Sequence, residues 1–219
     1  MALVLASLSA RVKVDGKDSS NQFSTQREQY IKDTLREMTM SLDWRFLKKP
    51  TTLSLASGWI SLPADFKKML AVMYNNEPLV MLQEEDYFQH AYRFDGNHTE
   101  QERTAYYRLK YDAASSLWQV SFLNMPTTGT VDYLYQAFTD DVTTVPAMFE
   151  EPIVLGATAK FLRLMEGDDM TVADKYEQQF RTQTEQLFSY MDVDRYSNEP
   201  DRVKTNAEIE AKYNYRSVL

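Results

Sequence analysis

Residues 25–55 read TQREQYIKDTLREMTMSLDWRFLKKPTTLSL, and within this stretch a helical period gives way to a strand period. Ile31, Leu35, Met38, Leu42 and Phe46 follow one another at steps of three or four, which puts them on one face of an α-helix. Thr25, with Glu28 three residues on, fits a capping box, so the spacing predicts one long amphipathic helix over 25–46. Trp44 and Phe46 sit where the chain turns from helix to strand, and rings so large at such a corner are expected to be buried core. From Pro50 the runs shorten. Residues 52–55, 59–62, 69–74 and 79–82 are separated by Ser57-Gly58, Pro63-Ala64-Asp65 and Asn75-Asn76-Glu77-Pro78, the punctuation of hairpins.

Working upstream, DGKDSSNQ at 15–22 is a polar loop that joins the long helix to a shorter one over 3–14. Downstream, a short helix is expected over 84–92. Three alternating strands follow, carrying Tyr107, Leu109 and Tyr111, then Trp118, Val120 and Phe122, then Val131, Tyr133 and Tyr135. The links at 112–116 and 126–129 are short enough for an antiparallel meander. Helical period returns at Pro152, which suits a first turn, and Gly167 is placed to end that helix. Thr171 and Asp174 cap a second helix with Val172, Tyr176, Phe180, Leu187 and Met191 on one face. Beyond Val193 the chain is mostly polar and reads as an extended tail. The fold class is therefore α+β. One domain over 1–192 packs helices of about 1–49 and 146–192 as a bundle, with an antiparallel β insertion of about 50–145, and 193–219 form a C-terminal arm.

Composition narrows the chemistry. The 219 residues carry 32 acidic and 24 basic side chains, a net charge of −8, with 43% apolar residues and only 6 Gly and 7 Pro. That composition makes a core and not a disordered chain. With no Cys there is no thiolate nucleophile, iron–sulfur cluster or Cys-ligated zinc. The acid is concentrated in residues 140–192, which hold 11 acidic and 4 basic side chains. An excess of acid disfavours nonspecific adhesion to nucleic acid or anionic membrane, which rests on neutralising phosphates. MALVLASL at 1–8 lacks a basic start and is interrupted by Ser7, so it reads as a helix face and not a targeting signal. No run approaches the roughly 18 apolar residues of a membrane span, and the expectation is a soluble chain made in a cytoplasm.

No constellation calls for catalysis. His90 lies four residues after Asp86, near Glu85 and His98, but without a HExxH pattern a solvated acidic helix accounts for them better than a metal site. Glu166, Asp168 and Asp169 imitate the carboxylate pair of a glycosidase, yet acids flanking a Gly between helices serve as caps. Gly16-Lys17-Asp18-Ser19 lacks the first Gly of a phosphate-binding loop, and Asn97-His98-Thr99 is a chance glycosylation match. Tyr106, Tyr107, Tyr111, Trp118, Phe122, Tyr133 and Tyr135 could form a stacking platform for single-stranded nucleic acid or sugar. Residues 50–139 carry 10 acidic and 6 basic side chains, so these rings are expected to be partly core and partly a protein contact. Catalytic residues, metal and cofactor are all expected to be none.

The ordered set of pieces resembles a known family. YIKDTLREMTMSLDWRFLKK at 30–49, the strand at 51–55 and ISLPADF at 60–66 are similar to the opening of the head-to-tail adaptor proteins of short-tailed phages. VDYLYQAF at 131–138, Val145-Pro146, PIVLGATAKFLRLMEGDD at 152–169 and ADKYEQQFRTQTEQL at 173–187 continue the likeness, which spans about 20–190. More distantly the chain looks like the gatekeeper or tail tubular protein A type of adaptor. The resemblance implies a virion structural protein without a catalytic site. Its copies would form a homo-oligomeric ring, twelve-fold like the portal above it, that extends the DNA channel and gives a tail nozzle or tube protein its platform. Genomic DNA would pass through without specific binding, and no membrane would be involved. The location implied is the virion neck, after synthesis in the host cytoplasm. The arm would grip the portal, and its late apolar and aromatic residues Ile209, Tyr213, Tyr215, Val218 and Leu219 are the expected partner-binding set. The competing expectations are another tail component, such as a nozzle or tail-completion protein, and a carbohydrate-binding module built on the aromatic strands.

Overall fold

A helix that is apolar almost all round has to lie at the centre of its neighbours, and IVLGATAKFL supplies one. A computed structural model of the chain describes residues 3–18, 22–56, 58–75, 77–82, 105–123, 125–126, 128–165 and 171–197, with side chains through 191. It divides into two compact units, one of residues 1–38 with 140–219 and the other of residues 39–139.

In the first unit α1 (Leu5–Asp15), α2 (Ser24–Ser41), α3 (Glu150–Met165) and α4 (Thr171–Ser197) are the helices. α3 is the central one and buries every residue from Pro152 to Ala159. Pro152 is tolerated because first-turn amides have no partner within the helix, and Glu150 and Glu151 suit the positive end of its dipole. Arg11 on α1 donates to both, at 2.8 Å and 2.6 Å. α2 buries Ile31, Leu35 and Met38 completely. At Gly156 an added Cβ would lie 2.5 Å from Thr34 Cγ2 and 3.0 Å from Phe180, so α2 and α4 close on α3 at a position only Gly fits. The loop after α1 is held by a buried ion pair between Arg27 and Asp18, whose side chains are 4% and 1% exposed.

α4 differs from expectation in its buried face, for Val172 is exposed while Ala173, Phe180 and Thr184 are buried. Ala173 lets the helix approach closely, and the stripe it starts passes between Tyr176 and Glu177 instead of through Val172. The helix continues to Ser197, past residue 193 where the polar tail starts in the sequence pattern.

In the second unit β1 (Lys48–Ser54), β2 (Ile60–Ser61), β3 (Phe66–Tyr74), β4 (Glu77–Pro78), β5 (Val80–Met81), β6 (Tyr106–Asp112), β7 (Leu117–Leu123) and β8 (Thr130–Ala137) form two four-stranded sheets, ordered β1-β8-β3-β4 and β2-β7-β6-β5. Two expectations are corrected. The meander stops after β6 and β7, because β8 leaves them and pairs antiparallel with β1, from Lys48↔Gln136 to Ser54↔Thr130, and with β3 on its other side. The β portion is also not wholly antiparallel, since β5 runs parallel to β6.

The predicted helix over 25–46 is shorter, and it ends at Ser41. The Lys67 ammonium donates to the carbonyls of Thr39 at 3.2 Å and Leu42 at 2.8 Å, supplying donors where the helix ends. Trp44 is 1% exposed, and its carbonyl accepts from Gln136 Nε2 at 2.8 Å. A 3-10 turn over Arg45–Leu47 then leads into β1, leaving Phe46 half-buried. Its four-residue spacing from Leu42 is a coincidence of sequence.

Candidate functional site

The LPADF motif at 62–66 is where the two sheets meet. The Leu62 amide donates to the carbonyl of Trp118 in β7 at 2.8 Å, and the Phe66 amide donates to the Pro63 carbonyl at 3.0 Å to close a turn into β3. The Asp65 carbonyl accepts from the Phe138 amide at 2.9 Å, just past β8. The Asp65 carboxylate accepts from the Tyr135 hydroxyl at 3.0 Å and pairs with Lys49 at 2.5 Å. Burial, then the Asp65 hydrogen bond, pushes the Tyr135 hydroxyl far above its ordinary pKa, so it keeps its proton and acts as a fixed donor.

Around this corner the aromatic strands form core. Phe66 lies 6.1 Å from Trp118 and 5.8 Å from Tyr135, which stacks on Tyr133 at 5.7 Å. Tyr107, Tyr133 and Tyr135 are buried, Tyr106, Trp118 and Phe122 are half-buried, and Tyr111 is exposed. A continuous ring platform for bases or sugars is therefore not present among these seven residues.

One face of β2-β7-β6-β5 carries a feature that sequence reasoning missed. Arg108 and Lys110, on the β6 face opposite Tyr107 and Leu109, each stand 4.3 Å from the centroid of the Trp59 ring. The signal was the basic pair at alternate positions in YYRLKYD, but nothing in sequence ties it to Trp59. Two shallow grooves also lie among the described residues. One of about 430 Å³ in the helical unit has Leu3, Leu5 and Val142 with Lys32, Asp140 and Asp141 in its wall, and one of about 420 Å³ on the first sheet is lined by Pro50, Met73, Tyr133 and Leu134 among others. Hydrogen bonds from the Thr143 amide and hydroxyl, with Lys32 nearby, hold the Asp141 carboxyl below the ordinary range and keep it anionic. These surfaces can bury apolar side chains and match charge, which is recognition chemistry.

Several sequence-predicted residues lie outside the described residues: Ile209, Tyr213, Tyr215, Val218 and Leu219 of the arm; Glu85, Asp86, His90 and His98; and Glu166, Asp168 and Asp169. Among the described residues no group of three His, Cys, Asp or Glu could hold a metal ion, and no helix is long and apolar enough to cross a membrane.

Compared with protein families, the chain matches the SU10 adaptor protein family over residues 5–204. No curated protein matches it. The matched span takes in both units, and the five expected arm anchors lie past its end.

Proposed function

The chain belongs to the SU10 adaptor protein family, a family of phage adaptor structural proteins, and from that premise we propose that its copies form a ring below the portal, extend the DNA channel and give the tail its attachment platform. The observation that carries this reading is the extent of the match, which runs through the helical unit and the β unit alike. The physical chemistry supports it. A net charge of −8 makes a wall that does not pair with phosphates, so a duplex can slide past it. A helical unit packed around α3, in which every residue from Pro152 to Ala159 is buried, is stiff enough to repeat around an axis through a heterologous, ring-closing contact. The arm over 193–219 grips the portal, with Ile209, Tyr213, Tyr215, Val218 and Leu219 buried by that partner.

Like-charged copies repel, so the isolated chain is a monomer at micromolar concentration and becomes a ring on the portal. Light scattering of the chain alone, then sedimentation and electron microscopy with purified portal from the same virion, test this. A ring seen only with portal supports the reading. Failure to bind portal overturns it, and a stable ring without portal overturns the assembly order.

A further inference from the structure

Among the described strands, three of the four at sheet edges are cut short: β2, β4 and β5 have two residues each, whereas β1 runs for seven from Lys48 to Ser54. Short edge strands guard a sheet against pairing with another chain, so one long open edge calls for an explanation. The Leu55 amide donates to the Gly129 carbonyl at 2.9 Å. By alternation the backbone groups of Lys49, Thr51 and Leu53 turn toward β8, and those of Lys48, Pro50, Thr52 and Ser54 turn to the free edge. The first half of that edge is blunted, because the Lys48 amide closes the 3-10 turn onto the Arg45 carbonyl and Pro50 has no N–H to offer. Thr52 and Ser54 are exposed, and no strand among the described residues meets them on that side.

The face beside this edge is apolar with one charge. Directly paired residues share a face, so Pro50, Leu134 and Ala71 form one row across β1, β8 and β3, and Thr52, Asp132 and Met73 form the next. All six line the groove of about 420 Å³. The Asp132 carboxylate is exposed and accepts from the Thr52 hydroxyl at 2.9 Å, and no cation among the described residues is paired with it. We propose that an extended segment of the tail-side partner adds to β1 as a further strand. It takes its hydrogen bonds from Thr52 and Ser54, lays an apolar side chain over Pro50 and Leu134, and two residues away carries a Lys or Arg that reaches Asp132. Two strand spacings, about 10 Å, are within the combined reach of a basic side chain and a carboxylate. Unpaired backbone groups beside an apolar groove suit a strand and not a helix. The inference rests on the adaptor reading for the identity of the partner. β1 of a second copy is the less favoured occupant, because it brings the same carboxylate and the same proline.

The test uses the full chain and the tail protein that adjoins the neck, purified from the same virion, with amide hydrogen exchange read at single residues. Binding is expected to slow exchange at Thr52 and Ser54. Thr52→Pro removes an outward N–H and, like Pro50, leaves the ladder with β8 in place. It should weaken binding roughly tenfold, whereas Thr52→Val, which loses the hydroxyl and keeps the N–H, should change it by less than about twofold. Asp132→Asn should weaken binding several-fold and flatten its dependence on salt between about 50 and about 500 mM. Melting curves check that the variants fold, and Asp132→Asn, a change at an exposed site, keeps the test open if Thr52→Pro does not. Free exchange at Thr52 and Ser54 in the complex, equal losses in Thr52→Pro and Thr52→Val, or binding indifferent to Asp132→Asn would each overturn the inference. So would protection of the same amides in the chain alone at high concentration, which is self-pairing. A chain that binds neither portal nor the tail protein refutes the adaptor reading and this inference with it, whereas a chain that binds both with the edge exchanging freely refutes this inference alone.

Discussion

Thr39 and Thr139 hold each other. The Thr39 hydroxyl donates to the Thr139 carbonyl at 3.0 Å and accepts from the Thr139 amide at 3.2 Å, so the chain is tied to itself where it enters the β unit and where it leaves it. Such a clasp closes a loop of about a hundred residues, whose closure entropy would otherwise oppose the fold. Thr39→Val keeps the shape and removes both bonds. The expected loss is about 1–3 kcal/mol, since the hydroxyl is buried and serves two backbone groups. Urea unfolding measures it, and an unchanged midpoint would show that the clasp contributes nothing.

Acid should loosen the corner next to that clasp. Burial pushes the Asp43 carboxyl up, but hydrogen bonds from the Lys68 and Lys67 ammoniums outweigh it and hold the group below the ordinary carboxylate range. Because the folded chain gives up this proton more readily than the unfolded chain, the stabilisation is complete above the unfolded value of about 3.9 and is lost as pH falls through the lower folded value. Asp43→Asn should therefore lose less stability than the parent between pH 5 and the acid limb, roughly below pH 4. Parallel slopes in urea midpoints against pH would refute the linkage.

Trp44 and Phe46 separate in the structure although the sequence treats them alike. Trp44 is 1% exposed and lies 6.2 Å from Phe46 in a tilted arrangement, whereas Phe46 is half-buried. Trp44→Ala should cost about 3–5 kcal/mol and Phe46→Ala about half of that. Equal losses would mean that the second ring is more enclosed than its exposure indicates.

These two residues show what the sequence could and could not reveal. α2 and α4 were legible because each marks a buried side every three or four residues, and α3 because a long apolar run follows Pro152, which suits a first turn. Alternation likewise announced β6, β7 and β8, but it states which face is buried and not which strand lies alongside. The pairing of β8 with β1 and β3 depends on residues far away in the chain, among them Asp65, which holds Tyr135 of β8 and Lys49 of β1 together. The end of α2 was misjudged for the same reason, since its cap is a lysine from β3. The cluster at Trp59 was not legible because the alternate basic pair Arg108 and Lys110 puts both on one strand face without saying which ring the fold sets beside them.

Gly156 tests how closely the helical unit is packed. A Cβ there would stand 2.5 Å from Thr34 Cγ2, a methyl carbon close to the α2 backbone that has little room to withdraw. Gly156→Ala should raise helix propensity by up to about 1 kcal/mol, yet the overlap costs about 1–3 kcal/mol, so the net effect is destabilising. Thr34→Ser removes the obstructing methyl, and in that background the alanine should become neutral or better. A double-mutant cycle with no coupling would show that α2 yields freely.

The arm supplies the last prediction. Tyr213, Tyr215, Val218 and Leu219 fall within the final seven residues of a stretch without helical or strand period, so they have no internal face of their own to complete. Apolar and aromatic residues in that setting are best buried by a partner, and the adaptor reading names the portal. Deleting 205–219 removes the residues that follow the family match and leaves the Thr171–Ser197 helix whole. If the arm is the grip, the truncated chain keeps its circular dichroism and melting temperature, because few core contacts are lost, and no longer binds portal. Substituting Tyr213 and Tyr215 by Ser in the full-length chain should weaken portal binding at least tenfold, which is about 1.4 kcal/mol. Retained portal affinity in both variants would assign the grip to another surface, and a collapse of the melting temperature would mean that these residues belong to the core.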